Sequence, residues 1–252
     1  MIRHVVGHTG LFLGYELRNT FRNPVWPLFG IVQPVLYLLL FGPLVAGSAG
    51  QSTADMLTGF TPGMLVITAL FGSIGVGYGM IYELRSGVLE RVAVSPAWRP
   101  SIVLGRTLRD GVVLMLQSVA VVLIALAMGM RASLPGVAVT VLLIAVTGLF
   151  ASGIGYGLAL SLRDENGMAQ IMQFFALPIM LLSGALLPMA LAPEWMQRVA
   201  VLNPMYHPVV AGRALFAGDL ADPSIPVAFA VMLALAALTV TWSVRSLRRL
   251  AG

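Results

Sequence analysis

Long apolar runs, each near the ~20 residues that cross a bilayer, alternate along this chain with short polar turns. The pattern predicts an all-α membrane protein with six transmembrane helices, over 26–45, 60–82, 111–130, 135–162, 168–187 and 225–244. Together, 1–252 reads as a single transmembrane domain. Three stretches do not fit the spanning pattern. In 1–23, Val5, Phe12, Leu13, Leu17 and Phe21 recur at helical intervals, with Arg3, Glu16, Arg18 and Arg22 among them. That predicts an amphipathic helix lying in the membrane interface. In 188–224, Pro188, Pro193, Pro204 and Pro208 break the chain too often for a span, yet the segment is too apolar for a free loop. Short helices over 193–198 and 205–216, at the interface or dipping into it, are expected.

The third stretch, 83–100, is the longest charged interruption, carrying Glu83, Arg85, Glu90, Arg91 and Arg99. Leu84, Val88, Arg91 or Val92, and Ser95 recur at helical spacing and predict one short amphipathic helix. Gly87 interrupts it near its start, and Ser95-Pro96 and Arg99-Pro100 end it, because the residue before proline avoids the helical region. A short helix held at the membrane surface by two spans is well placed to touch another protein.

Within the spans, Pro34 predicts a kink. Gly75 and Gly79 form a GxxxG pair, as do Gly153 and Gly157, and such pairs let helices approach closely. The segment Gly75–Gly87 echoes Gly153–Gly167, which suggests a parallel repeat. Arg106 and Asp110 are spaced to pair on one helix face.

Composition agrees with a membrane chain: only 10% of residues are charged, against about a quarter in soluble domains. There is no cysteine, which excludes disulfides and thiolate metal sites. All fifteen basic residues are arginine. With abundant Ala, Val, Gly and Leu, this points to a GC-rich bacterial source. The lack of lysine also excludes a nucleotide-binding P-loop, whose lysine reaches the phosphates. Any ATP used must therefore be bound by another polypeptide. Twelve of the fifteen arginines fall in the terminal and even-numbered turns. The positive-inside rule then places both termini and 83–100 in the cytoplasm. The N-terminal stretch lacks the compact apolar core and cleavage site of a signal peptide and is expected to remain in the mature chain.

Catalysis is not expected. His4, His8 and His207 have no metal-ligand spacing, and no Asp, Glu or Arg sits near the centre of a predicted span. That weakens an intramembrane enzyme and an ion-coupled carrier alike. The polar groups inside are Gln33, Tyr78, Gln117, Tyr156, Gln170 and Gln173, each more often an interhelical hydrogen bond than a ligand.

Several motifs resemble the permease subunits of type-2 ABC exporters, over nearly the full length. They are Arg22-Asn23-Pro24, the run Glu83-Leu84-Arg85-Ser86-Gly87-Val88-Leu89-Glu90-Arg91 followed by Ser95-Pro96, and Leu182-Ser183-Gly184-Ala185 with Pro188, Pro193-Glu194-Trp195 and Asn203-Pro204. Val88 replaces the family's usual Thr. The daunorubicin-type antibiotic and multidrug exporters are the branch it most resembles. The resemblance implies that 1–23 is an interfacial connecting helix. It implies that Glu83, Leu84, Gly87, Val88, Glu90 and Arg91 belong to a coupling helix docking on an ATP-binding cassette subunit. Pro188, Glu194, Trp195, Asn203 and Pro204 would lie in extracytoplasmic re-entrant helices. Spans two and five would line the path, which draws attention to Tyr78, Gln170, Gln173 and Phe174. ATP and Mg would sit on the partner, with no cofactor or metal on this chain. A second permease half, the same chain or a paralogue, the lipid bilayer and a small hydrophobic substrate complete the implied partners, and no nucleic acid is among them. The alternatives are a permease for polysaccharides, glycolipids or lipids, or an ATP-independent carrier, channel or structural subunit. The implied location is the bacterial plasma membrane.

Overall fold

The computed structural model describes residues 2–23, 25–49, 52–87, 100–186 and 188–250. Among them the chain forms α1 (Ile2–Arg22), α2 (Val25–Ala49), α3 (Thr53–Arg85), α4 (Pro100–Ala127), α5 (Leu134–Leu162) and α6 (Glu165–Leu182). A 3-10 turn (Met189–Leu191), α7 (Glu194–Ala200), α8 (Tyr206–Ala217) and α9 (Ser224–Leu250) follow. Residues 88–99, most of the predicted surface helix, lie outside the described residues.

Local chemistry sets many of these boundaries. The Ser52 hydroxyl accepts the Asp55 backbone N–H at 3.1 Å and starts α3. Ser133 caps α5, with Pro135 in the first turn, and α5 ends where Arg163 turns left-handed at φ 56°. The Asp164 carboxylate accepts the Gly167 N–H at 2.6 Å and opens α6. Gly218, at φ 92°, closes α8 in the conformation that glycine adopts without a Cβ penalty.

Helix α5 is the axis of the bundle and packs against α3, α4, α6, α8 and α9. Its sequence is apolar all round, as a helix surrounded by other helices requires. Small residues set its crossings. A Cβ at Gly155 would run into the Ser73 carbonyl oxygen of α3, and one at Gly77 would meet Met168 and approach the Gly155 carbonyl. The central glycines of the two echoing segments thus meet at the α3–α5 crossing. The flanking ones diverge. Gly153 and Gly157 receive Thr239 and Trp242 of α9, whereas Gly75 and Gly79 face open space. Among the described residues only one of the two GxxxG pairs therefore packs a helix.

The spans differ from expectation in length and number. Among the described residues four helices are long and apolar enough to cross a membrane: α3, α4, α5 and α9. A fifth span arises if residues 9–22 and 27–42, bent by 66° at the junction, count as one. The predicted fifth span, 168–187, corresponds to α6, which has 18 residues, rises about 27 Å and is not among those four. It stops at the Ser183–Gly184 turn, where Gly184 has φ 72°. Helix α2 runs unbroken past Pro34. Helix α4 begins at Pro100, well before the predicted start at 111, and α3 extends the second span at both ends. Helix α8, expected at the interface or dipping into it, packs among α3, α5 and α9, with Val209, Ala211, Leu215 and Phe216 buried.

Candidate coupling site at the arginine-rich end

At one end of the bundle, five charged side chains and a tyrosine from four helices form a buried network. Its local origin is a close approach. At Gly105 of α4 a Cβ would press on Phe12 and the Leu13 backbone, so glycine lets α1 lie directly on α4. Glu16, one turn further along α1, then reaches two arginines of α4. Arg106 Nε donates to Glu16 Oε1 at 2.9 Å, and Arg109 Nη1 lies 3.6 Å from Glu16 Oε2. Arg106 Nη2 donates to Glu83 in the last turn of α3. Arg109 Nη2 pairs with Asp110 at 2.7 Å and donates to the Tyr156 hydroxyl of α5 at 3.1 Å. The Tyr156 hydroxyl in turn donates to Asp110 Oδ2 at 2.7 Å.

Glu16, Arg106, Asp110 and Tyr156 are all buried. Charges removed from water need such pairing, and losing one partner strands the other. The arrangement fixes geometry: Glu83 stands just before residues 88–99 and Arg106 just after them, so one guanidinium joins both ends of that segment to α1. A second tether is exposed. Arg85 reaches Glu165 at 3.2 Å and Asp164 at 3.9 Å, linking the end of α3 to the α5–α6 turn. Exposed pairs of this kind contribute at most about 1 kcal/mol.

The expected Arg106–Asp110 pair does not form. Tyr156 holds Asp110 toward α5, and Arg106 turns the other way to the two glutamates. Glu83 and Leu84, read as the start of a separate surface helix, are the last turn of α3. Glu83 is engaged by Arg106, and Leu84 is half-buried against the cluster of Met80, Ile81, Tyr156 and Met168. Gly87 has φ 68° and follows the Ser86 cap, so it ends α3. Val88, Glu90 and Arg91 lie outside the described residues.

The residues proposed for a path fall into two groups. Tyr78 is half-buried in the cluster just named. Gln170, Gln173 and Phe174 are exposed on α6, Phe174 at 73% and edge-on to Phe175 at 5.1 Å. A cavity of about 170 Å³ lies behind that face, between α3, α5 and α6, lined by Leu70, Ile154, Ile171, Phe175 and Ile179. Apart from Ser73 its walls are apolar.

At the other end, Asn203 is buried and structural: its Nδ2 donates to the Ile179 carbonyl at 2.7 Å, and its Oδ1 accepts the Met205 N–H at 3.0 Å. It ties the segment after α6 back onto α6, with Pro204 half-buried beside it. Pro188, Glu194 and Trp195 are exposed, and Glu194 pairs with Arg198 at 3.3 Å. Arg213 of α8 was not singled out from sequence. Its Nε and Nη2 donate to the carbonyls of Gly59 (2.9 Å) and Gly184 (2.6 Å), joining α8 to α3 and to the end of α6. The available signal was an arginine with no acidic neighbour in an apolar helix, which must find acceptors in the backbone. Gln117 behaves as expected of an interior amide, donating to the Pro27 carbonyl of α2 at 2.7 Å.

The family model described as ABC-2 type transporter matches residues 9–217. The daunorubicin resistance ABC transporter permease protein DrrB1 of Streptomyces coeruleorubidus is 26% identical over 197 residues, covering 77% of this chain and 70% of that protein. The transport permease ycf38 of Cyanophora paradoxa is 29% identical over 204 residues, covering 77% and 69%. That of Porphyra purpurea is 24% identical over 204 residues, covering 79% and 70%.

Proposed function

This chain belongs to the ABC-2 type transporter family and is a multi-pass transmembrane subunit of an ABC transporter. From that premise we propose that it forms part of the translocation path of an ATP-driven exporter. The proposed cargo is a small hydrophobic, antibiotic-like compound. A separate ATP-binding cassette subunit binds ATP and Mg and hydrolyses the nucleotide, and a second permease half, the same chain or a paralogue, completes the path. In this reading α2, α3, α4, α5, α6 and α9 are the six spans and α1 lies in the interface. The 3-10 turn, α7 and α8 form the re-entrant segment, and both termini face the cytoplasm of a bacterium.

The observation that carries the reading is the buried ion network beside 88–99. ATP closure outside the membrane does work only if a rigid element feels it and prefers one state by a differential free energy. A displacement of 88–99 by a docked ATPase would move α3 and α4 together, because Arg106 fastens Glu83, and would carry α1 with them through Glu16. In this mechanism Val88 and Glu90, with Arg91, supply the contact, while Glu83, Leu84 and Gly87 anchor and orient it from the end of α3. The exposed apolar face of α6, the small apolar cavity behind it and the daunorubicin resistance of one relative support a hydrophobic substrate.

The test is co-purification of an ATPase subunit with variants of the full chain. Val88→Asp should reach the membrane but lose the ATPase, because it places a charge where an apolar contact is expected. Glu90→Ala should keep the ATPase but lose export and substrate-stimulated ATP hydrolysis. Normal export by both variants at normal abundance overturns the coupling assignment.

A further inference from the structure

An open groove of about 620 Å³ runs along the outer face of α9 toward its arginine-rich end. Among the described residues its lining belongs to α9 alone and includes Ala234, Ala237, Leu238, Trp242, Arg245 and Arg249, with the hydroxyls of Thr241 and Ser246 between them. We propose that this groove holds one anionic phospholipid from the leaflet on that side, its phosphate between Arg245 and Arg249 and an acyl chain along Leu238, Ala237 and Ala234.

Charge is the first argument. Arg245 and Arg249 are exposed, α9 contains no Asp or Glu, and neither arginine has an ion-pair partner among the described residues. Arginines at a span end are explained by topology and by the helix dipole. Those effects do not require a groove, whereas here the two guanidiniums open onto one. Length is the second argument. From Ala234 to Arg245 the helix rises about 17 Å at 1.5 Å per residue, and one leaflet's hydrocarbon is about 15 Å deep. The lining therefore runs from headgroup level to the bilayer middle. Polarity changes at the right place as well. Trp242, 38% exposed, sits between the arginines and the aliphatic stretch, where an indole ring favours the interface. Its inner side rests on Gly157 of α5, where any Cβ would collide with the ring, so the ring is fixed as a wall. Leu238, 65% exposed, offers the apolar surface beyond it.

The experiment is native mass spectrometry of the full chain in detergent, titrated with phosphatidylglycerol or phosphatidylcholine of the same acyl length. Phosphatidylglycerol should be retained preferentially. Arg245→Gln and Arg249→Gln should each weaken that retention about fivefold and the double variant about twenty-five-fold, the scale for basic residues near anionic lipid. Arg248→Gln, outside the groove, should change it less than about twofold. Ala237→Phe, which fills the groove and leaves every arginine in place, should also release the lipid. Inorganic phosphate at equal concentration should not displace it. Equal retention of the two lipids, an equal loss from Arg248→Gln, or displacement by inorganic phosphate overturns the proposal. So does a lipid-free dimer that Ala237→Phe dissociates, since a second copy would then occupy the face.

Discussion

Replacing Arg106 by leucine removes the centre of the ion network. Glu16 would be left 8% exposed with only Arg109, at 3.6 Å. Glu83, 30% exposed, would turn toward water and lose less. Breaking a buried pair by deleting one partner costs about 3–5 kcal/mol. The remaining Arg109 contact and the rehydration of Glu83 argue for the lower end, about 3 kcal/mol. For a chain of this size that lowers the unfolding midpoint by roughly 6–12 °C. The double variant Glu16→Leu/Arg106→Leu removes both members of the buried pair, so it should recover at least 1 kcal/mol relative to the sum of the single changes, within the range seen for coupled neighbours. Arg85→Leu, which breaks only exposed pairs, should cost less than about 1 kcal/mol. The assay is thermal unfolding of each purified variant in one detergent. Additivity of Glu16→Leu and Arg106→Leu within ~0.5 kcal/mol would show that the two side chains do not act together, and the tether from α1 to 88–99 would have to be abandoned.

Gly155→Ala should destabilise by about 1–3 kcal/mol, because the Ser73 backbone cannot yield, while Gly79→Ala should be tolerated; thermal unfolding compares them. Gln173→Leu lies on an exposed face, so it should alter the ranking of exported compounds more than membrane abundance; equal loss for all compounds in step with protein level would point to packing. Single cysteines test the orientation in this cysteine-free chain. Ser52 and Ala221 are exposed and should react with an impermeant maleimide on intact cells, whereas Ser86, also exposed, should react only after lysis.

Much of the helical plan was legible because each signal was local. Apolar runs marked the long helices, the expected start at 135 fell in the first turn of α5, and the prolines of 188–224 marked a segment of short helices. The amphipathic reading of 1–23 also matched a helix, α1. Length was less legible: α6 ends at Leu182 because the chain turns at Ser183–Gly184, and hydropathy does not report turn geometry. Among the charged residues, sequence drew attention to the cluster at Arg106 and Asp110 but gave the wrong partners. Spacing along one helix favours the i,i+4 neighbour, and it has no knowledge of Tyr156 on α5 or Glu16 on α1.

The sequence by itself determined that this is a helical membrane chain without a P-loop lysine, with its arginines concentrated near its two ends and in 83–110, because hydropathy and charge act residue by residue. Only the tertiary structure decided which glycines are crossings, since Gly77 and Gly155 meet while Gly75 and Gly79 stay open, a difference made by the rotation of α3 against α5. It also decided that Glu83 serves the interior of the chain, that Arg213 closes α8 onto two carbonyls, and that Arg245 and Arg249 stand beside a groove. Each of these depends on where a distant helix comes to rest, and burial, which only the packed bundle supplies, turns a charged residue into either a tether or a free cation.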